Sequence, residues 1–118
     1  MNELPIVNWD LGTKLAGNKR EIAEELLALL INMLPTEMTE IDESFNQGDF
    51  VELQKRVHKL HGAVCYCGVP RLKQVLIKLE TAIKTNIMDS LPLLIEELGA
   101  ETNQLLVFYQ DHTKHHNN

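Results

Sequence analysis

The stretch FVELQKRVHKLHGAVCYCG, residues 50–68, decides the fold because its apolar residues recur at helical spacing. Residues three and four positions apart lie on the same face of an α-helix. The apolar positions alternate between these two intervals: Phe50, Leu53, Val57, Leu60, Val64 and Cys67. So narrow a stripe is typical of a helix buried against other helices. The stretch therefore predicts a helix that begins after Gly48-Asp49 and ends at Gly68.

The segments before residue 50 also have helical spacing. A short first helix is predicted over about Trp9 to Ala16, and Asn18 is predicted to cap the long helix that follows. Pro35 lacks a backbone N–H and should kink or split this helix near Leu34. The apolar positions of the long helix are Ile22, Leu26, Leu29, Met33, Ile41 and Phe45.

Two more helices are predicted after Gly68. Pro70 lies in the opening turn of the first, where proline is well tolerated. Asp89 or Ser90 caps the second, which has Pro92 in its first turn. The apolar positions of the first are Val69, Leu72, Leu76, Leu79 and Ile83. Those of the second are Leu94, Leu98, Leu105 and Phe108 or Tyr109.

Together these segments predict an all-α fold. Four long amphipathic helices joined by short turns form an antiparallel four-helix bundle, with the short N-terminal helix as a lid on one end. The chain shows no internal repeat and no low-complexity linker, so residues 1–118 are predicted to form a single domain. We expect an ordered core over about residues 4–112, followed by a polar tail from His112 that frays.

Composition excludes several classes of protein. The 118 residues suffice for one buried core, and a net charge of −6 argues against nucleic acid as a partner. No apolar run is long enough to span a membrane, and the N-terminus lacks the features of a signal peptide. We therefore expect a cytoplasmic domain without membrane contact. Cys65 and Cys67 would point apart on a helix, so a disulfide between them would break the helix.

Inside the decisive stretch, His58 follows the buried position Val57 and is turned toward solvent. Gly62, one turn later, is unexpected because glycine in a helix costs about 0.5–1 kcal/mol relative to alanine. Without a side chain there, another molecule can approach His58 closely, so Gly62 indicates docking. The same outer strip carries Gln54, Lys55, His61 and Gly62.

Charge supports phosphate chemistry at this position. No Asp or Glu occurs between Leu53 and Leu79, although the whole chain is acidic. Cations near a phosphorylated imidazole would stabilise its negative charge and attract an acidic partner. Six of the eleven basic residues lie in this window: Lys55, Arg56, Lys59, Arg71, Lys73 and Lys78.

The motif His58-x-Leu60-x-Gly62, followed by Gly68 and Leu72, resembles the His-x-Leu-Lys-Gly signature of histidine phosphotransfer (HPt) domains. The longer stretch HKLHGAVCYCGVPRL, residues 58–72, resembles the C-terminal HPt domain of BarA/GacS-type hybrid sensor histidine kinases. The opening LPIVNWD, residues 4–10, and LAG, residues 15–17, are similar to the start of that domain.

This resemblance implies a role in a two-component phosphorelay. His58 would accept a phosphoryl group from the phosphoaspartate of a receiver domain and pass it to the aspartate of a response regulator. The domain would be a phosphotransfer intermediate, not an enzyme, within an inner-membrane sensor kinase. It would need no cofactor and no metal of its own, because Mg²⁺ would be bound by the receiver. We expect it to be a monomer.

The resemblance also suggests roles for the neighbours of His58. Many HPt domains have lysine where this chain has His61, and glutamine where it has Glu80. An ionised Glu80 could orient the imidazole by accepting its N–H, or repel the phosphoryl group if it lies too close. The predicted supporting residues are His61, Gly62, Lys55, Lys59 and Glu80. The predicted docking residues are Gln54, Arg56, Cys65, Gly68 and Arg71.

Two other classes of function remain open at this point. The same exposed face could bind a partner protein without any phosphorylation of His58. Alternatively, His58, His61 and Cys65 share one helix face at a spacing that metal ligands can have. For His61, a role as a site neighbour that hydrogen-bonds phosphate and a role as an incidental surface residue are equally compatible with its position.

Overall fold

The computed structural model describes residues 4–116 of the chain, with side chains described up to residue 114. This part is helical and contains no β-strand among the described residues. A single turn of 3-10 helix, Met88–Ser90, precedes the last helix. The five α-helices are α1 (Trp9–Leu15), α2 (Arg20–Asn46), α3 (Phe50–Val64), α4 (Pro70–Lys84) and α5 (Leu91–His116).

Helices α2 to α5 form a four-helix bundle, as predicted. Helix α2 packs against α3 and α5, and α4 packs against the same two helices. In the described part of the chain, no Cα atoms of α3 and α5 approach within 8 Å, so these two helices lie on opposite corners. Short connections join successive helices, which gives the antiparallel order. Helix α1 packs against α2 as the additional N-terminal helix.

The apolar stripe of α3 lies in the core. Leu53, Val57, Leu60 and Val64 are completely buried. The stripe of α4 is buried in the same cluster. Phe50 departs from the prediction and is 38% exposed, because it is the first residue of α3 and lies at the end of the helix. The stripe fixes the rotation of α3 and therefore the direction in which His58 points.

Two predictions about α2 are wrong, that of its cap and that of part of its apolar stripe. Asn18 is not the cap, because its φ of 67° differs from the extended backbone of an N-cap residue; Lys19 takes that position. Asn18 instead follows Gly17, also at positive φ, in the turn after α1. Ile22 and Leu29 of the predicted stripe are 38% and 64% exposed, because other residues form the buried face. That face carries Ala23, Leu27, Leu30 and Leu34 instead.

Pro35 does not split the helix, which runs without a break from Arg20 to Asn46. Pro35 lacks one backbone donor, but the helix, which packs against α3 and α5, continues past it.

Gly68 does not end α3, which stops at Val64. It lies where α1 packs on the bundle, and its carbonyl oxygen accepts a 2.8 Å hydrogen bond from the Asn8 N–H. A Cβ atom at this position would clash with the Asn8 carbonyl oxygen and lie 2.7 Å from the backbone nitrogen of Gly12. Glycine is therefore required here for close packing of α1.

The other helix boundaries agree with the sequence. The side chain of Asp49 caps α3 by accepting a hydrogen bond from the Glu52 N–H. Pro70 is the first residue of α4, and Pro92 lies in the first turn of α5. Helix α5 continues to His116, through most of the segment given above as a polar tail. None of the described helices combines the length and apolarity needed to cross a lipid bilayer.

Candidate functional site

His58 lies in the middle of α3, and its side chain is 74% exposed. Val57 and Leu60, on either side of it, are completely buried. The buried pair holds the helix backbone in place, so the exposed imidazole stands on a rigid support. This is the orientation that the apolar stripe predicts.

The imidazole of His58 faces a carboxylate from the neighbouring helix. Its Nδ1 atom lies 3.4 Å from Oε1 of Glu80 on α4. The same oxygen lies 2.8 Å from Nδ1 of His61, at hydrogen-bonding distance. The side chain of Glu80 is only 10% exposed. Oε1 of Glu80 therefore contacts two imidazoles: that of His58, which is largely exposed, and that of His61, which is largely buried.

The carboxyl group of Glu80 is ionised at neutral pH. Burial by itself raises its pKa, but the hydrogen bond with His61 and the electrostatic attraction of His61, His58 and Lys84 outweigh burial. The pKa of Glu80 therefore lies below its usual value of 4.5. Lys84, one turn further along α4, places its Nζ 3.6 Å from Oε2 of Glu80.

His61 is less accessible than its sequence position suggests. Its side chain is 21% exposed, and its Nε2 atom is buried without a hydrogen-bond partner among the described residues. In this arrangement His61 contacts Glu80 through Nδ1 and offers no exposed nitrogen to a phosphoryl group. This geometry fits neither of the two roles left open for His61. The residue is a neighbour of the site, and it contacts Glu80 instead of the phosphoryl group.

A surface groove of about 350 Å³ adjoins His58 between α3 and α4. Its two lysines lie on different helices, Lys55 on α3 and Lys84 on α4. The groove therefore holds two cations and one carboxylate, of which Lys84 and Glu80 form an ion pair and Lys55 does not. Its lining residues are Val51, Gln54, Lys55, His58, Glu80 and Lys84.

Gly62 leaves open space beside the site. A Cβ atom at this position would meet no described atom within 4 Å outside its own stretch of helix. Packing inside the protein therefore does not require glycine here, in contrast to Gly68. The open space lies one turn from His58, where an approaching partner would contact the helix backbone.

The basic window of the sequence is largely neutralised in three dimensions. Acidic residues from other parts of the chain pair with four of its six cations. Lys55 and Lys73 have no ion pair within the described part, so the excess positive charge is smaller than the sequence implies. The pairs are Arg56 with Glu40 and Glu52, Lys59 with Glu37, Arg71 with Glu101, and Lys78 with Glu97.

Of the remaining predicted docking residues, Gly68 is buried beneath α1 and cannot contact a partner, and Cys65 and Arg71 lie at some distance along the bundle. Cys65 is half-buried at the end of α3 and lines a second groove with Leu11, Leu15 and Ile77. Arg71 is bound to Glu101 on α5, away from the groove beside His58. Both cysteines are free, and burial raises the pKa of the Cys67 thiol to about 11. Among the described residues, no cluster of three or more His, Cys, Asp or Glu side chains could hold a metal ion.

Two residues of this region were not predicted from the sequence. Lys84 was not singled out, although it follows Glu80 at the i, i+4 spacing of helical ion pairs. Glu37, which holds Lys59 at 2.9 Å, is buried, and its Oε2 has no partner among the described residues. Its position between Leu34 and Ile41 at helical spacing is the signal that would have predicted this burial.

Comparisons with known proteins place the chain among similar domains. A family model described as "Hpt domain" matches residues 25–107. The chain is 36% identical over 105 residues to the sensor histidine kinase GacS of Pseudomonas protegens, covering 84% of this chain. It is 30% identical over 106 residues to the signal transduction histidine-protein kinase BarA of Escherichia coli, covering 90% of this chain. It spans only 12% and 11% of the lengths of these two relatives.

Solved structures agree with these matches. The HPT domain of a hybrid histidine kinase from Shewanella superposes with a TM-score of 0.83 at 32% identity, covering 93% of this chain and 95% of that one. Histidine-containing phosphotransfer protein B of Pseudomonas aeruginosa superposes with a TM-score of 0.80, covering 94% and 96% of the two chains. At 16% identity, this second likeness speaks for the fold alone.

Proposed function

Because this chain belongs to the Hpt domain family, whose members act in phosphorelays, we propose that His58 is the residue that carries the phosphoryl group. It accepts this group from a phosphoaspartate of a receiver domain and passes it to the aspartate of a response regulator. The observation that supports this assignment is the pairing of an exposed His58 with the buried carboxylate of Glu80 at its Nδ1.

The contact with Glu80 suits one ring nitrogen for the reaction. An ionised carboxylate favours a proton on Nδ1 of His58, which leaves the lone pair on Nε2. This lone pair attacks phosphorus, and the electrons of the breaking P–O bond remain on the aspartate of the donor. No proton needs to move. The ring gains positive charge as the N–P bond forms, and the negative charge of Glu80 stabilises that charge.

The surroundings of His58 fit a transfer that depends on positioning and charge. Gly62 leaves room for the receiver to approach the helix backbone. Lys55 lies on the same groove and can attract an acidic surface. The receiver supplies Mg²⁺ and a lysine in this proposal, and the domain itself contributes no cofactor. It acts as a monomeric phosphotransfer intermediate, without enzymatic activity of its own.

The longer relatives suggest the setting of this reaction. GacS and BarA are named as histidine kinases, and the chain matches only a small part of each. We therefore place the domain on the cytoplasmic side of an inner-membrane sensor kinase, where the donor is the receiver domain of that kinase. The acceptor is the receiver of a separate response regulator.

The test is to incubate the chain with receiver domains that carry radiolabelled phosphoaspartate. We expect acid-labile, base-stable label on the wild-type domain and none on His58→Gln. His112→Gln is the matched control. It removes a histidine of α5 whose ring packs against Trp9 and does not line the groove beside His58. Label that persists on His58→Gln would exclude this residue as the acceptor. A domain that binds receivers but never takes up label would instead be a non-catalytic interaction domain.

A further inference from the structure

Lys84 is the residue of this region for which no role has yet been given. It is the last residue of α4, its side chain is 58% exposed, and its Nζ lies 3.6 Å from Oε2 of Glu80. It also lines the groove that contains His58. Lys84 therefore contacts the side of the carboxylate that faces neither His58 nor His61.

Phosphorylation of His58 places a second negative charge near Glu80, and Lys84 is positioned to reduce the repulsion between them. A phosphoryl group adds about −1.5 to −2 charges, and it would enter a groove that already holds the ionised Glu80. The two negative groups repel each other unless a cation lies near both. Lys84 already contacts Glu80, and its flexible four-carbon stem allows the ammonium group to move within the groove.

Lys55 is the other cation of this groove, but its situation differs. It lies on α3, one turn before His58, and no carboxylate of the described chain holds its ammonium group. A cation held beside the site is better placed to respond to a new charge than one that moves freely in solvent. Lys84 is therefore the better candidate for a direct contact with the phosphoryl group.

On the basis of the proposed phosphorylation of His58, we infer that Lys84 is a phosphoryl-binding residue. In the unmodified domain its ammonium group pairs with Glu80. In the phosphorylated domain it lies between Glu80 and the phosphoryl oxygens and neutralises both. Lys84 thereby stabilises the phosphorylated form relative to the phosphorylated receiver.

The experiment measures the transfer equilibrium between labelled receiver and wild-type, Lys84→Met or Lys84→Arg domain. We expect Lys84→Met to lower the ratio of phosphorylated domain to phosphorylated receiver by about threefold, the effect of one exposed ion pair. Lys84→Arg should keep the wild-type ratio. Lys73→Met is the matched control, since it removes a cation from α4 that lines the second groove.

A second measurement separates this role from a general loss of structure. In the unphosphorylated domain, Lys84→Met should raise the pKa of Glu80, which NMR titration of the carboxyl carbon reports. Equal transfer ratios for Lys84→Met and Lys73→Met would overturn the inference. If the wild-type domain takes up no label at all, the proposed function fails, and this result is distinct from equal ratios among labelled variants.

Discussion

Nδ1 of His58 lies 3.4 Å from Oε1 of Glu80, so an exposed imidazole on α3 is paired with a buried carboxylate on α4. The carboxylate attracts the N–H of the ring at this distance and so favours one orientation of a side chain that is 74% exposed. A nucleophile in solvent is accessible but poorly oriented, whereas a buried one is oriented but inaccessible. Here accessibility comes from the rotation of α3 and orientation comes from α4.

Replacing Gly62 with glutamine should slow phosphotransfer without harming the fold. A Cβ atom at this position would meet no described atom within 4 Å outside its own stretch of helix, and removal of a helical glycine stabilises the fold by about 0.5–1 kcal/mol. The side chain would, however, occupy the space that a docked receiver needs. Transfer rates and thermal unfolding of the variant test both parts.

Gly99→Gln is the matched control for this prediction. Gly99 is also a helical glycine with no described atom within 4 Å of an added Cβ. It lies on α5, none of whose Cα atoms comes within 8 Å of a Cα atom of α3 in the described chain. If Gly62→Gln and Gly99→Gln transfer phosphate equally fast, the open space at Gly62 has no role in docking.

Lys55→Glu should weaken binding to an acidic receiver, and more strongly at low salt than at high salt. Lys55 has no ion pair in the described part and lies on the groove beside His58, so reversing its charge acts directly on the partner. Association rates measured over a range of ionic strength give the result. Lys114→Glu, on α5, changes the net charge equally. A loss of binding that is the same at every salt concentration would rule out steering by Lys55.

Lys59 is less suitable for this test, although the sequence predicts the same supporting role for Lys55 and Lys59. Its ammonium group is held at 2.9 Å by the buried Glu37, so Lys59→Glu would place two carboxylates together and destabilise the fold. Any effect on binding would then be difficult to separate from unfolding. The partner of Lys59 lies 22 positions earlier in the chain, and local sequence patterns do not report contacts at such a distance.

The difference between Gly62 and Gly68 shows where sequence analysis reaches its limit. Helical periodicity predicted the four-helix bundle and the outward direction of His58, because both follow from one apolar stripe on each helix. Gly68 was taken for a helix end because glycine often has that role. Its actual reason is the close approach of Asn8 and Gly12, which are more than 50 residues away in the chain.

Gly68→Ala should therefore loosen the N-terminal helix. The new methyl group would clash with the Asn8 carbonyl oxygen and press on Gly12, so α1 must shift from the bundle. We expect the free energy of unfolding to fall by about 1–3 kcal/mol, as in other overpacked sites. Fluorescence of Trp9 on α1, the only tryptophan of the chain, reports the shift. Unchanged stability and fluorescence would contradict the tight contact.

Glu80 should make the stability of the domain depend on pH in the acid range. Its pKa in the folded protein is below the usual value of 4.5, so the ionised carboxyl group binds its partners and stabilises the folded state. This contribution is present above about pH 4.5. It is lost as the pH falls through the lowered pKa, because the folded protein must then protonate a carboxylate that it holds in the charged form.

The measurement compares urea unfolding of wild-type and Glu80→Gln at several pH values between neutral and strongly acid. At neutral pH, Glu80→Gln should be less stable, because it loses the charge that His61 and Lys84 contact. Below about pH 4.5 the difference should shrink, since the wild-type carboxyl becomes neutral as well. Glu43→Gln, which removes an exposed carboxyl group from α2, serves as the control for one lost charge. A stability difference that stays constant over the whole pH range would mean that the ionised carboxylate is not what binds α4 to the histidines of α3.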